Sequence, residues 1–328
     1  MLPLLETAWP KSTLTMLVHR RIWPIRKAIL VLALCFILVA SLPIAAGANP
    51  TAANNVNILI VNNAPGAVQE VANGNGQINW ETDTIEAVGT GVPSANVHHP
   101  AQSKGSARRA AIVDAQRNLL EAIKGVQVDS ETTMENLAIA SDTVKTRVSG
   151  LVRGARIVRE QELPDGSYQV IMVIKMYGHG GLAGAIEDRL APTISQPLPP
   201  ISSTYTPSVV DTQYQYTGLV IDARGLDLER SMGPMVYDTE GRVIYGNMYV
   251  ERSYVIDTGL VDYASSADTN ALAKNGQSRA GRNPLFIKAV SVKDHNRNVI
   301  ISKADGDAVL AASSSTGFLT KCAVVLEH

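Results

Sequence analysis

The feature that most constrains the fold is an alanine-rich stripe within residues 104–124. Apolar residues recur there at every fourth position, in the order Ala107, Ala111, Ala115, Leu119 and Ile123. Residues spaced by four share one side of an α-helix, so the pattern predicts a helix with one buried face. Because the stripe begins with three small alanines, we expect this helix to lie directly against a β-sheet. Gly125 follows, where a left-handed cap is favourable.

The polar residues of the same helix are expected on its opposite, solvated side, namely Asp114, Arg117, Asn118 and Glu121. Arg108 and Arg109 lie near the helix start, where the helix dipole gives a cation no stabilisation. We interpret both arginines as solvated surface residues, with contact to a partner protein as the alternative.

Short strand patterns surround the helix. We predict strands at 78–81, 84–89, 126–134, 151–163 and 168–177, while residues 143–148 fit either a strand or a helix. The last two strands are joined by Pro164, Asp165, Gly166 and Ser167, which are typical hairpin-turn residues. A helix combined with antiparallel hairpins predicts an α+β domain over residues 77–190.

A second domain follows a proline-rich segment. Residues 191–213 contain five prolines among serines and threonines and are interpreted as a semi-rigid linker. For residues 214–328 we predict strands at 216–223, 235–237, 242–245, 285–292, 299–301 and 321–326, and helices at 262–274 and after Ser302. The overall class is therefore α+β, with two small domains of antiparallel sheet and packed helices.

The N-terminal segment has the pattern of an export signal. Basic residues at 19–27 precede an apolar run at 28–44, which ends in the small residues Ala46, Gly47 and Ala48. We predict that residues 1–48 are a cleaved signal peptide and that 49–76 form a flexible lead-in to the first domain. The alternatives are an uncleaved membrane anchor and lipid attachment at Cys35, although Leu34 stands where lipoprotein processing needs a small residue.

Net charge and cysteine content limit the classes of partner and the disulfides that we expect. The formal net charge is −1, so nothing favours nucleic acid or an anionic membrane surface as a partner. After signal removal Cys322 is the single cysteine, which excludes an internal disulfide. Its apolar neighbours predict a buried thiol.

Several motifs resemble chemical sites, and each has a simpler structural interpretation. Gly89 and Gly91 lack the third glycine of a dinucleotide fingerprint, and Ser278 lacks the strand and helix that frame a nucleophilic serine. Three further motifs lack essential ligands: a calcium-like run (Asp294, Asn296, Asn298, Asp305), the glycine-rich residues 178–181, and the pair His98 and His99. We therefore assign no catalytic, cofactor-binding or metal-binding residue and expect no enzymatic activity.

The sequence resembles the Lpp-twenty lipoprotein family, which is related to the N-terminal domain of flagellar assembly protein T. The resemblance spans about 78–177 and is carried by GTGVP at 89–93, ARRAAIVDAQRNL at 107–119, GLVRGA at 150–155 and DGSY at 165–168. YTGLVIDARG at 216–225 and DTEGRVIYG at 238–246 resemble segments that follow that domain in envelope proteins. The family's usual lipidated cysteine has no counterpart here.

The resemblance implies a non-enzymatic structural or assembly protein of the periplasm or outer cell envelope that acts by protein–protein contact. Its expected partners are other envelope proteins, with the flagellar basal body and a second copy of the chain as candidates. The alternative is a periplasmic ligand-binding or sensing module that uses the groove between the two domains. A deep cleft with converging polar groups would favour that alternative.

Overall fold

The computed structural model describes residues 68–96, 99–205, 214–264 and 275–328. The predicted signal peptide and His98 lie outside the described residues. Within these ranges, no helix combines the length and the apolar character needed to cross a bilayer. We refer to residues 68–190 as the first lobe and to the described residues from 214 onward as the second lobe.

The first lobe is a five-stranded antiparallel sheet with helices packed on it. Its strands are β1 (Val68–Val71), β2 (Gly76–Asn79), β3 (Thr84–Gly91), β4 (Arg156–Glu162) and β5 (Tyr168–Lys175), in the spatial order β1-β2-β3-β5-β4. Its helices are α1 (Pro100–Lys124), α2 (Met134–Ala140), α3 (Asp142–Arg153), α4 (Leu182–Ala185) and α5 (Glu187–Leu190). The ambiguous residues 143–148 are thus helical, and residues 68–76, predicted as lead-in, belong largely to β1 and its turn into β2.

The alanine stripe packs as its spacing predicts. All five apolar residues of the stripe are buried against the sheet. The contact depends on glycine in the facing strand: an ideal Cβ at Gly89 would overlap the backbone of Ala111 and Ala115, and one at Gly91 would overlap the backbone of Ala107. The helix backbone therefore lies directly on the strand backbone, which only small residues on both sides allow.

Two expectations for α1 are wrong. Asp114 and Asn118 do not face solvent alone: the Asp114 carboxylate accepts from the Thr90 N–H at 3.0 Å, and the Asn118 side chain donates to the Val88 carbonyl at 2.7 Å. Both therefore tie α1 to β3. Gly125 does end the helix, but with φ −73°, a right-handed and not a left-handed conformation.

The second lobe contains two four-stranded sheets. Strands β6 (Gly218–Asp222), β9 (Asp262–Ala264), β10 (Pro284–Lys288) and β13 (Val324–Glu327) form one sheet in the order β10-β6-β13-β9. Strands β7 (Val236–Asp238), β8 (Val243–Tyr245), β11 (Ser291–Lys293) and β12 (Asn298–Ile301) form the other in the order β11-β12-β7-β8. Helices α6 (Arg252–Thr258) and α7 (Lys303–Thr316) complete the described part of this lobe.

The α+β class is confirmed, but the pairing in the second lobe differs from the expected antiparallel sheet. Every neighbouring pair of strands in the β10-β6-β13-β9 sheet is parallel, as is the β7–β12 pair. The predicted N-cap of α7 is correct, since the Ser302 hydroxyl accepts from the Asp305 N–H at 3.0 Å. Residues 262–264, predicted as the start of a helix, form β9; most of that predicted helix lies outside the described residues.

The two lobes share one hydrophobic core. The rings of Trp80 and Tyr263 meet edge to face with centroids 5.6 Å apart. Tyr177 lies over Gly259, whose φ of +81° and missing Cβ leave room for the ring. The domain limits stay a prediction, but the contact between the lobes is that of a core and not of two separate bodies.

The proline-rich segment is held along the second lobe as far as residue 205. The Gln196 N–H donates to the Met248 carbonyl at 2.6 Å, and the Ser202 N–H donates to Asp307 at 3.0 Å. Arg242 also donates to the Pro200 carbonyl at 2.9 Å. A semi-rigid linker, as predicted for residues 191–213, would make few contacts with the lobes, whereas residues 196–202 form several hydrogen bonds with the second lobe. Residues 206–213 lie outside the described part.

Residues 126–134 form a closed loop where a strand was predicted. The Asp129 carboxylate accepts from the N–H groups of Glu131 and Thr132 at 2.9 and 2.8 Å and turns the chain back on itself. The Met134 N–H then donates to the Val126 carbonyl at 2.9 Å. Burial of Val126 and Val128 explains the strand-like pattern. The segment nevertheless forms most of its hydrogen bonds within residues 126–134 and not with a neighbouring strand.

Candidate functional site

The motifs that resemble chemical sites have structural roles. Gly89 and Gly91 lie inside β3 under α1, so no phosphate can approach them. These glycines instead serve the helix–sheet contact. Ser278 occupies a loop in which its hydroxyl accepts from the Ala280 N–H at 3.2 Å.

The calcium-like run is a hairpin between β11 and β12. Asp294, His295 and Asn296 all have positive φ, between 51° and 60°. The Asn298 amide donates to Asp294 at 2.8 Å and accepts from the Met235 N–H at 2.8 Å, so these groups hold the turn. Among the described residues, no group of three or more His, Cys, Asp or Glu side chains is placed to hold a metal ion.

His99 and Cys322 also have local roles. The His99 ring accepts from the Ala101 N–H at 3.3 Å and caps the start of α1, one residue before Pro100. Cys322 is buried, as predicted, in the turn before β13. Burial raises the pKa of its thiol to about 11, which keeps it protonated and unreactive at neutral pH.

A cleft with a volume of about 980 Å³ lies in the first lobe. One wall is the C-terminal half of α3, and the other is formed by the end of β5 and the glycine-rich residues 178–181. The turn needs its glycines: Gly178 has φ +91°, and a Cβ at Gly181 would overlap the Tyr177 carbonyl. The turn thus brings the backbone of its glycines to the cleft, together with His179.

The cleft is lined by four basic side chains and one acidic one, namely Arg147, Arg156, Lys175 and His179 against Glu187. Sequence reasoning missed this site because its cations come together only through the packing of α3 beside the β4–β5 pair, which no local spacing indicates. The signal that was available is the density of glycines beside cations, in GLVRGAR at 150–156 and KMYGHGG at 175–181.

A partly buried charge cluster lies next to the cleft, at the contact between the lobes. Arg279 forms an ion pair with Asp262 at 2.5 Å and donates to the Gly259 carbonyl at 3.1 Å. Burial raises the pKa of Asp83 to about 7; the positive charge of Arg279 opposes the shift, and the negative charge of Asp262 adds to it. Burial likewise raises the pKa of Asp262. Asp83 belongs to the first lobe and the other two residues to the second, so this cluster bridges the lobes.

An apolar groove of about 410 Å³ runs between α1, α2 and α3. Its apolar lining comes from all three helices, namely Leu120, Ile123, Met134, Ala138, Ile139 and Val148. Ile139 is 78% exposed, which is unusual for a large aliphatic side chain. Charges of both signs border the groove, namely Lys124, Glu135, Asp142 and Lys145.

Comparison with known proteins gives one match in each lobe. The model of the LPP20 lipoprotein family matches residues 82–175, which run from the β2–β3 turn to the end of β5. The model of the second domain of Treponema pallidum Tp0624 matches residues 218–326, from β6 into β13. No curated protein matches the chain.

The first match confirms the resemblance to the lipoprotein family over that segment, and it includes α1, the apolar groove and the glycines of β3. The second match covers the lobe for which the sequence indicated only a general likeness to envelope proteins. The proline-rich segment lies between the two matches. The chain thus combines a segment similar to the LPP20 lipoprotein family with a segment similar to the second domain of Tp0624.

Proposed function

We propose that the protein is a non-enzymatic structural or assembly protein of the cell envelope that binds other envelope proteins through the apolar groove. Three observations support the proposal: the match to a lipoprotein family, the signal-like N-terminus and the groove between α1, α2 and α3. The observation that carries it is the exposed Ile139 in that groove. The flagellar basal body is the more specific partner that the resemblance implies.

The groove has the form of a site for an amphipathic helix or strand of a partner. Apolar surface gathered in one concave place favours association, whereas scattered apolar residues do not. The mixed charges at its rim would pair with charges on the polar edges of such a segment. Ile139 stands at the centre of this argument because it is the most exposed of the groove's large apolar side chains.

Replacement of Ile139 tests the proposal. Ile139→Ser should release the exported protein from large envelope assemblies, measured by its sedimentation in gently solubilised envelopes of the native host. Ile194→Ser is the matched control, because Ile194 is 81% exposed and lies in the proline-rich segment, outside the groove. Equal sedimentation of both variants and the unmodified chain would contradict the proposal.

A ligand-binding module remains the second candidate, and the glycine-rich cleft is the observation that favours it. The cleft lies within the first lobe. A separate pocket of about 490 Å³, lined by Asp83 of the first lobe and Asp257 of the second, lies between the two halves, where the sequence led us to expect a groove.

A further inference from the structure

Two cations in the cleft have no ion-pair or hydrogen-bond partner among the described residues. Arg156 begins β4, and Lys175 ends β5. Both side chains are exposed. This distinguishes them from the other arginines of the cleft region, which have carboxylate partners.

The sheet register places these two cations on the same face. Arg156 lies directly opposite Val173 in the antiparallel β4–β5 pair, and Lys175 is two residues further along β5. Residues directly opposite share a face, as do residues two apart in a strand. Arg156 and Lys175 are therefore diagonal neighbours, with backbones about 7–8 Å apart. One oxyanion fits between two long basic side chains at this spacing.

No acid in the described part of the chain forms an ion pair with Arg156 or Lys175, although Asp83 and Asp257 line the adjoining pocket together with Lys175. Asp188 contacts Arg252 at 2.8 Å and Arg147 at 4.0 Å, and Glu187 lies 3.7 Å from Arg252. These four charges balance one another. Glu86 shares the sheet face on β3, but it does not line the cleft, and the Thr84 hydroxyl donates to its carboxylate at 3.4 Å. The charge that remains in the cleft is positive.

The rest of the lining suits a small ligand with an apolar part. Open space surrounds three glycines of the cleft. No atom lies within 4 Å of an added Cβ at Gly150 or Gly180, and only carbonyl oxygens at the end of α3 do so at Gly154. A ligand can therefore approach the backbone closely. Leu151 and Val173 supply apolar surface beside these glycines.

We propose that this cleft binds the carboxylate or phosphate group of a small amphipathic ligand, held between Arg156 and Lys175. Arginine and lysine both form charge-assisted hydrogen bonds with such oxyanions, and arginine can do so with two parallel bonds. The proposal is independent of the assembly function, because the cleft and the apolar groove share no residue.

The test is a titration of the ¹⁵N-labelled mature chain, 49–328, with sodium phosphate, with hexyl phosphate and with sodium acetate. Ionic strength is kept constant with chloride, since screening alone shifts exposed amides. We expect saturable chemical-shift changes at the cleft glycines, with tighter binding of hexyl phosphate than of phosphate. Saturation by acetate would identify a carboxylate source, and saturation by the phosphates alone would identify a phosphate source.

Variants decide whether the two cations carry the binding. The double variant Arg156→Gln, Lys175→Gln should raise the dissociation constant at least tenfold, and each single variant should have an intermediate effect. Arg109→Gln is the control, since Arg109 is an exposed cation on α1 outside the cleft and should leave the constant within twofold. Shifts that do not saturate, or a folded double variant that titrates like the unmodified chain, would overturn the proposal. If the double variant does not fold, the dissociation constants of the two single variants decide, and values equal to that of the unmodified chain would overturn the proposal.

Discussion

Replacement of Gly89 by alanine should strongly destabilise the first lobe. Gly89 lies in β3 directly beneath α1, and an ideal Cβ there would lie 2.6 Å from the Cα of Ala115. It would also overlap the Ala111 carbonyl oxygen. Both obstacles are backbone atoms, which cannot move aside as a flexible side chain can.

The magnitude follows from the separation that α1 would need. Carbon atoms in ordinary contact are about 3.5–4.0 Å apart, so the helix must retreat by at least about 1 Å at this point, because the Ala115 nitrogen lies nearer still. A gap of that size forfeits about a quarter to a half of the contact energy of the atoms that face it. With a typical overpacking cost of about 1–3 kcal/mol, we expect Gly89→Ala to cost about 3 kcal/mol. That is a large share of a total stability of about 5–15 kcal/mol.

Urea unfolding of the mature chain, followed by circular dichroism, measures this cost. Gly105→Ala is the matched control, because nothing lies within 4 Å of its Cβ position in α1. Alanine is the better helix former, so this variant should gain about 0.5–1 kcal/mol. The same methyl group should therefore have opposite effects at the two positions. A free energy of unfolding for Gly89→Ala within about 0.5 kcal/mol of that of the unmodified protein would refute the close contact between α1 and β3.

Three further predictions concern charge and export. Between about pH 4 and pH 7, Asp83→Asn should gain up to about 4 kcal/mol of unfolding free energy relative to the unmodified chain. The reason is that the raised pKa of Asp83 makes ionisation of its carboxyl group costly only in the folded state. A difference in urea midpoint between the variant and the unmodified chain that is the same at pH 4 and at pH 7.5 would count against it. Asp114→Ala should lower the unfolding free energy by about 1 kcal/mol, because the hydrogen bond to the Thr90 N–H is lost. Arg117 is exposed and has no partner among the described residues, so Arg117→Ala should change the unfolding free energy by less than about 0.5 kcal/mol in the same assay. N-terminal sequencing and mass measurement of the exported protein should find Asn49 first, and an acylated chain beginning at Cys35 would contradict the predicted cleavage.

The elements that the sequence predicted well depend on local physics. The α1 stripe, the hairpin at 164–167 and the Ser302 cap each follow from residues close together in the chain. The start of α1 could have been placed better, since Pro100 is favoured at the first helical position and His99 caps it.

The errors arose where distant segments meet. The parallel β6–β13 pair joins residues about a hundred positions apart, and no local pattern specifies such a partner. The available hint was continuous burial: Val324–Glu327 and most of Gly218–Asp222 are buried on both faces, as strands of parallel sheets are. The cleft was missed for another reason. Its two cations lie on the predicted hairpin, but a register shift between Ile157 and Arg159, which no sequence pattern indicated, places Arg156 opposite Val173 and on the face of Lys175.

Site-specific photocrosslinking at position 139 tests the central claim, assembly through the apolar groove, most directly. A photoreactive phenylalanine analogue would replace Ile139 in the exported chain, and the same analogue at Ile194 would report random contacts. The account predicts a discrete adduct with an envelope protein at position 139 that is absent at position 194. No adduct at 139, or the same adducts at both positions, would contradict it.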